Sequence, residues 1–149
     1  MTQAESTSSG TSEEWNPYIL GIFCNWCSYA GADGAGTARM QRPPALRILR
    51  VMCSGRVEPE MVFRALKNGA DGVIVSTCHP GDCHYVNGNY KTFRKAPLIS
   101  KFLEQMGVNP KRFRLTNVSA SEGAELTEIM HEFVEELKEI GPSPFRNQK

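Results

Sequence analysis

The sequence predicts a single α/β domain, a mostly parallel sheet of about four strands flanked by helices. Three observations carry that expectation. The chain has 149 residues, the length of one typical domain. Hydrophobic residues make up 40% and charged residues 22%, which is enough apolar material for a core. Short apolar runs alternate with longer segments of helical periodicity, the rhythm of strand–helix–strand units.

The elements follow in order. Residues 1–15 open with a Ser-, Thr- and Glu-rich stretch that has no apolar anchor and reads as a flexible, disordered tail. The domain itself spans 16–141. Tyr18 to Phe23 (YILGIF) is an apolar run of the kind buried in a parallel sheet, and Arg47 to Met52 (RILRVM) is a second. Gly31 to Gly36, rich in glycine, reads as a loop after the first strand. It has a weak likeness to a phosphate loop but lacks the G-x-G-x-x-G order. A helix is expected over Pro59 to Asn68, with proline in its first turn and Gly69 as its C-terminal stop. Gly72 to Ser76 (GVIVS) is the third strand. A second helix is expected over Pro97 to Met106, again begun by proline and closed by Gly107. Phe113 to Val118 is the fourth strand. The last helix runs from about Glu122 to Ile140, with Leu126, Ile129, Met130, Phe133, Val134, Leu137 and Ile140 on one stripe. Ser119 and Glu122 have capping-box spacing at its start. Gly141 and Pro142 end that helix, leaving 142–149 as a C-terminal tail.

No run approaches the roughly 18 apolar residues needed to cross a bilayer. Met1 to Glu14 has neither basic residues nor an apolar stretch, so no signal peptide is expected. A cytoplasmic protein without a membrane segment is the expectation. The net charge of +1 hides segregation: Arg39–Lys67 and Lys91–Arg114 are basic, whereas Glu122–Glu139 is acidic. The interleaved aromatics and repeated basic runs of nucleic-acid binders are missing, and opposed charged faces suit docking between proteins.

Five cysteines stand out: Cys24, Cys27, Cys53, Cys78 and Cys83. An odd number without an export signal argues against a disulfide framework. Cys24 and Cys53 directly follow predicted strands, and Cys78 lies two residues past the third. Parallel strands present their carboxyl ends at one edge, so cysteines far apart in sequence converge there. Cys27 and Cys83 lie on loops above the same edge. An iron-sulfur cluster, which needs four thiolates, is the reading this spacing favours. Two others stay open: a thiol-disulfide oxidoreductase using the C-x-x-C pair Cys24/Cys27, and a zinc-stabilised structural adaptor. His79 and His84 neighbour cysteines and are expected to donate hydrogen bonds or lie at the surface; His131 is expected to be solvated. No nucleophile–base pair appears, so hydrolase or transferase chemistry has no support.

The segments FCNWCSYAGADGAGTARMQ, RVMCSGRVEP and CHPGDCHYVNGNYK closely resemble the delta (iron-sulfur) subunit of the methyl-viologen-reducing, F420-non-reducing hydrogenase of methanogens. The resemblance covers roughly Tyr18 to Ile140. It implies a non-catalytic electron-transfer component with one [2Fe-2S] cluster. The implied partners are a nickel-iron hydrogenase or a formate dehydrogenase as donor, and the A subunit of heterodisulfide reductase as acceptor, in electron-bifurcating methanogenesis. The family's motif cysteines correspond to Cys24, Cys27, Cys53, Cys78 and Cys83, one more than a [2Fe-2S] cluster requires.

Overall fold

The computed structural model describes residues 15–146; positions 1–14 and 147–149, parts of the two expected tails, lie outside the described residues. Strands β1 (Ile19–Cys24), β2 (Leu46–Val51), β3 (Gly72–Thr77) and β4 (Phe113–Asn117) form one parallel sheet in the order β2-β1-β3-β4. Ile19 pairs with Leu46 on one side and with Gly72 on the other, and Val73 pairs with Phe113. The four expected strands are all present, with ends shifted by a residue at most. Central strand β3 is buried at every position, as its unbroken apolar, β-branched run requires.

Helices α1 (Ser28–Thr37), α2 (Pro59–Lys67), α3 (Gly88–Gln105) and α4 (Gly123–Ile140) cover both faces. One core joins Ile22, Val73 and Val75 to Val62 and Leu66 of α2 and to Ile99 and Leu103 of α3. The other joins Ile19, Phe23, Leu46 and Ile74 to Leu126, Met130, Phe133 and Leu137 of α4. The α4 stripe is therefore core, as its periodicity indicates. Alternation along each strand sends successive side chains to opposite cores.

Two helices depart from expectation. The glycine-rich stretch after β1 is helix α1, not a loop. Its glycines serve packing: a Cβ on Gly123 would lie 2.6 Å from the Gly31 carbonyl, and one on Gly31 would lie 3.1 Å from that of Ser119. The small residues let α1 and the start of α4 touch backbone to backbone, and this outweighs glycine's poor helix propensity. Helix α3 begins at Gly88, nine residues before Pro97, which sits inside it. Thr92, Ala96, Ile99 and Leu103 form a continuous buried stripe, while Pro97 is exposed. The proline thus lies on the solvent side of the helix, and packing of the buried stripe carries the helix through it.

The chain end also differs from a simple tail. Ser143 is buried, and Phe145 packs against the α2–α3 core. The Arg146 guanidinium lies 5.7 Å over the Trp15 ring. Both flanks of the domain are thus anchored at the amino-terminal edge of the sheet, opposite the cysteines. No described helix is long and apolar enough to cross a membrane.

Candidate metal centre

Strand order reverses between β1 and β3. The chain leaves β1 for β2 on one side, then returns past β1 to reach β3 on the other. In a parallel sheet the carboxyl ends of two such strands bound a crevice. Cys24 closes β1 and Cys78 directly follows β3, so they flank that crevice with their sulfurs 3.8 Å apart. Cys27 caps the start of α1; the Cys78 thiol donates to its Sγ at 3.1 Å, and Ser28 Oγ lies 3.4 Å away. The three sulfurs all lie within 4.8 Å of one another, and all three residues are buried.

Cys53 and Cys83 form a second group, with sulfurs 3.8 Å apart. Cys53 follows β2 and opens a single 3-10 turn, Ser54–Arg56, in which the Gly55 amide donates to its Sγ at 3.4 Å. Cys83 sits in the β3–α3 loop. Gly88 seals this pair: a Cβ there would overlap Cys53 Sγ and lie 3.2 Å from Cys83 Sγ. Asn89, fully buried, donates to the carbonyls of Cys78 at 3.3 Å and His79 at 2.9 Å, pinning the loop to α3.

Within the trio one proton-poor sulfur is shared. A hydrogen bond from Cys27 lowers Cys24 to about 5, outweighing its burial. The same hydrogen bond raises Cys27, and burial raises it further. Burial, more than any neighbour, pushes Cys78 up to about 11. In the pair, burial raises Cys53. Burial also pushes on Cys83, but the backbone N–H groups of Tyr85, Asn89 and Gly88 and the Cys53 thiol hold it below the ordinary thiol value. The trio and the pair also feel one another electrostatically: beyond burial, Cys24 pushes Cys53 up, and Cys83 pushes Cys78 up. Each group thus contains one sulfur whose pKa is lowered, Cys24 in the trio and Cys83 in the pair, which favours the thiolate form that a metal binds.

The surrounding residues include several that spacing alone did not single out. Trp26, between Cys24 and Cys27, stacks on His84 at 3.8 Å and 10°, and its Nε1 donates to the Tyr85 hydroxyl at 3.3 Å. This contact joins the two cysteine loops across the rim. His79 Nε2 meets Glu122 Oε1 at 2.8 Å, and the Ser119 hydroxyl donates to the same carboxylate at 2.9 Å. Ser119 and Glu122 therefore interact side chain to side chain, and although Glu122 holds the N-cap position of α4, no side chain caps the helix. His131, exposed, meets the Gln41 carbonyl at 2.8 Å. The signal available for Trp26 and Asn89 was position: one inside the C-x-x-C, the other one residue past the glycine that seals the second pair.

Two thiolates bound to one tetrahedral metal at about 2.3 Å each stand about 3.8 Å apart. Cys24–Cys78 and Cys53–Cys83 both have that separation, so the donor set fits a thiolate-bound centre. Fold and rim together define a class, small parallel α/β domains whose strand-end cysteines gather at the switch point of the sheet. Comparison with known proteins narrows it. Residues 19–141 match the family model described as the methyl-viologen-reducing hydrogenase delta subunit, and the chain belongs to that family. It is 52% identical over 134 residues to the iron-sulfur D subunit of the F420-non-reducing hydrogenase of Archaeoglobus profundus, covering 90% of this chain and 98% of that protein. It is 48% identical to the vhc iron-sulfur D subunit of the F420-non-reducing hydrogenase of Methanococcus voltae, covering 87% and 90%. It is also 45% identical over 126 residues to the A subunit of the ferredoxin/F(420)H(2)-dependent CoB-CoM heterodisulfide reductase of Methanosarcina acetivorans; there the match covers 85% of this chain but 16% of the longer protein.

Proposed function

We propose that this chain is a cytoplasmic electron-transfer subunit that holds one [2Fe-2S] cluster and links a donor enzyme to the A subunit of heterodisulfide reductase in methanogenesis. The donor is a nickel-iron hydrogenase or a formate dehydrogenase. The observation that carries this reading is the pair of 3.8 Å sulfur separations at one sheet edge. Cys24 and Cys78 hold one iron, Cys53 and Cys83 the other, and Cys27 is the spare thiol. At 3.1 Å from Cys78, Cys27 is too close to share a metal with it and well placed to hydrogen-bond its sulfur.

Bound there, the cluster would take up and release one electron at a time. The chain's own residues fix where and how. Burial of Cys24 and Cys78 keeps water from their sulfurs. The amides of Gly55, Tyr85, Asn89 and Gly88 aim at the sulfurs of Cys53 and Cys83 and favour added negative charge. The Trp26–His84 stack holds the two loops in register. In the heterodisulfide reductase relative, a segment like this chain shares one polypeptide with the rest of the A subunit, which supports that protein as the acceptor.

A C-x-x-C oxidoreductase needs an exposed attacking thiolate. Cys24 is 2% exposed and Cys27 5%, which speaks against that use. The deciding experiment is anaerobic purification followed by assay of iron, acid-labile sulfide and zinc, with electron paramagnetic resonance of the reduced protein. Two irons and two sulfides per chain with a reduced [2Fe-2S] signal are expected. Zinc, or neither metal, overturns the reading.

A further inference from the structure

Strand β2 is an edge that nothing in the described chain covers. The Ala45 carbonyl accepts from Ile19 N–H at 3.2 Å, and the Val51 carbonyl from Asn25 N–H at 2.8 Å. Backbone groups of a strand alternate in direction, so residues 45, 47, 49 and 51 face β1. Ile48 and Arg50 turn their N–H and C=O groups outward, unpaired. Proteins commonly blunt such edges with charged side chains, proline, a bulge or a covering helix, and of these β2 carries the charges of Arg47 and Arg50. Here the strand reads LRILRV, with no proline within it, and it is partly apolar: Leu49 is 43% exposed, and Met52 just past its end 57%.

The charge along this edge is mainly basic, with Asp33 the acid that lines a cavity beside Arg42 and Arg47. Arg39, Arg42, Arg47, Arg50 and Arg56 are all exposed, and among the described residues none forms an ion pair. Arg64, Lys95, Arg114 and Arg146 each have a carboxylate partner, while Lys67, Lys91, Arg94, Lys101 and Lys111 are exposed without one among the described residues, so what marks the β2 edge is the clustering of its arginines. Arg50 is held over the Tyr29 ring at 5.3 Å, so one guanidinium is already positioned. At the carboxyl end of β2 lies an open groove of about 580 Å³, lined by Arg50, Val51, Met52, Cys53, Arg56 and Tyr85. The edge thus leads from the arginines to one of the cysteines.

We propose that β2 is the seat of an extended, acidic segment of a protein partner. The segment adds a strand to the open edge, places carboxylates against the five arginines, and brings the partner to Cys53. Main-chain pairing supplies affinity in such strand addition, while side chains supply the choice of partner. The free amides and the exposed Leu49 and Met52 favour a polypeptide over a nucleic acid as the source of negative charge. The surface stands on the strand geometry; only the use of Cys53 as its end point rests on the electron-transfer reading.

The test is hydrogen exchange on the free chain and on the same chain within the complex isolated from its own cells. The Ile48 and Arg50 amides exchange freely in the isolated chain and at least tenfold more slowly in the complex. The charge reversal Arg47→Glu with Arg50→Glu weakens the complex at least tenfold and removes most of its salt dependence, while Glu128→Lys with Glu139→Lys leaves it intact. A complex in which both amides exchange at the free rate overturns the proposal, as does a double arginine variant that still assembles normally. Duplex DNA binding to this face, sensitive to the same arginine changes, also overturns it. Iron and sulfide content, measured on the same samples, reports separately on the cluster.

Discussion

The carboxylate of Asp71 accepts a hydrogen bond from the backbone N–H of Ser143 at 2.9 Å, across 72 positions of sequence. The same fully buried side chain accepts from Tyr18 N–H at 2.8 Å and from Arg146 Nη1 at 2.8 Å. Its backbone carbonyl accepts from Arg112, whose other nitrogen reaches the carbonyls of Gly141 and Pro142. One aspartate before β3 thus ties the entry to β1 and the exit from α4 to the sheet. Asp71→Ala strands two backbone donors and a guanidinium. The expected loss is about 3 kcal/mol in urea unfolding, the cost of orphaning buried partners of a charge. A change below about 1 kcal/mol would show that the latch contributes little.

Gly88→Ala tests the seal over the second cysteine pair. Alanine normally gains up to about 1 kcal/mol over glycine within a helix. Here its methyl group would overlap Cys53 Sγ, so the sulfur or the start of α3 must move. The expected outcome is a folded chain by circular dichroism with at most half the iron of the parent. Full iron content would mean that the pair tolerates displacement.

Trp26→Ala removes the stack on His84 and the hydrogen bond to Tyr85, which together bridge the two loops. A lost aromatic pair of this kind costs about 1 kcal/mol. The larger effect is expected in kinetics. Iron release to a chelator should speed up several-fold, because the loops open independently. An unchanged release rate would assign Trp26 to the surface alone.

Strand positions were legible in the sequence because each is a short apolar run bounded by turn residues, and the meeting of Cys24 with Cys78 followed from them, whereas Cys53 pairs with Cys83 instead. Helix α1 was not legible, since Gly31 and Gly123 act through the contact they allow, and that contact exists only once α4 is in place. The start of α3 was hidden by Pro97, whose tolerance depends on which side of the helix faces water. The division of five thiols into a trio and a pair was likewise out of reach. It depends on strand order, which puts β1 beside β3 and leaves β2 at the edge. The Asp71 latch has no local pattern at all, because its partners come from both ends of the domain.

The Glu122 carboxyl lies below the usual carboxylate range, first because the Ser119 hydroxyl donates to it and then because His79 does. A folded-state value below the unfolded one means that its contribution to stability is complete above the unfolded value, about 4.3. The contribution fades as pH falls through the lower folded value. Ser119→Ala removes the larger cause, so the Glu122 midpoint should rise towards the unfolded value and the acid loss of stability should flatten. Carboxyl carbon NMR titration reads the midpoint directly. An unmoved midpoint would assign the shift to His79 and Glu125 instead.

The ligand set is the sharpest test, because the five cysteines are chemically alike and only geometry separates them. Cys24, Cys78, Cys53 and Cys83 fall into two pairs at 3.8 Å, the span of two thiolates on one tetrahedral metal. Cys27 stands 3.1 Å from Cys78 and is engaged with Ser28. Serine at each position keeps the size of the side chain while weakening its hold on iron. Cys24→Ser, Cys53→Ser, Cys78→Ser and Cys83→Ser should each lose most of the iron and the visible absorbance. Cys27→Ser should keep both, with a shifted reduction potential, because the hydrogen bond at the Cys78 sulfur changes. Loss of iron in Cys27→Ser together with retention in Cys83→Ser would move the centre into the buried trio. That result would replace the two-pair arrangement with one built around Cys24, Cys27 and Cys78.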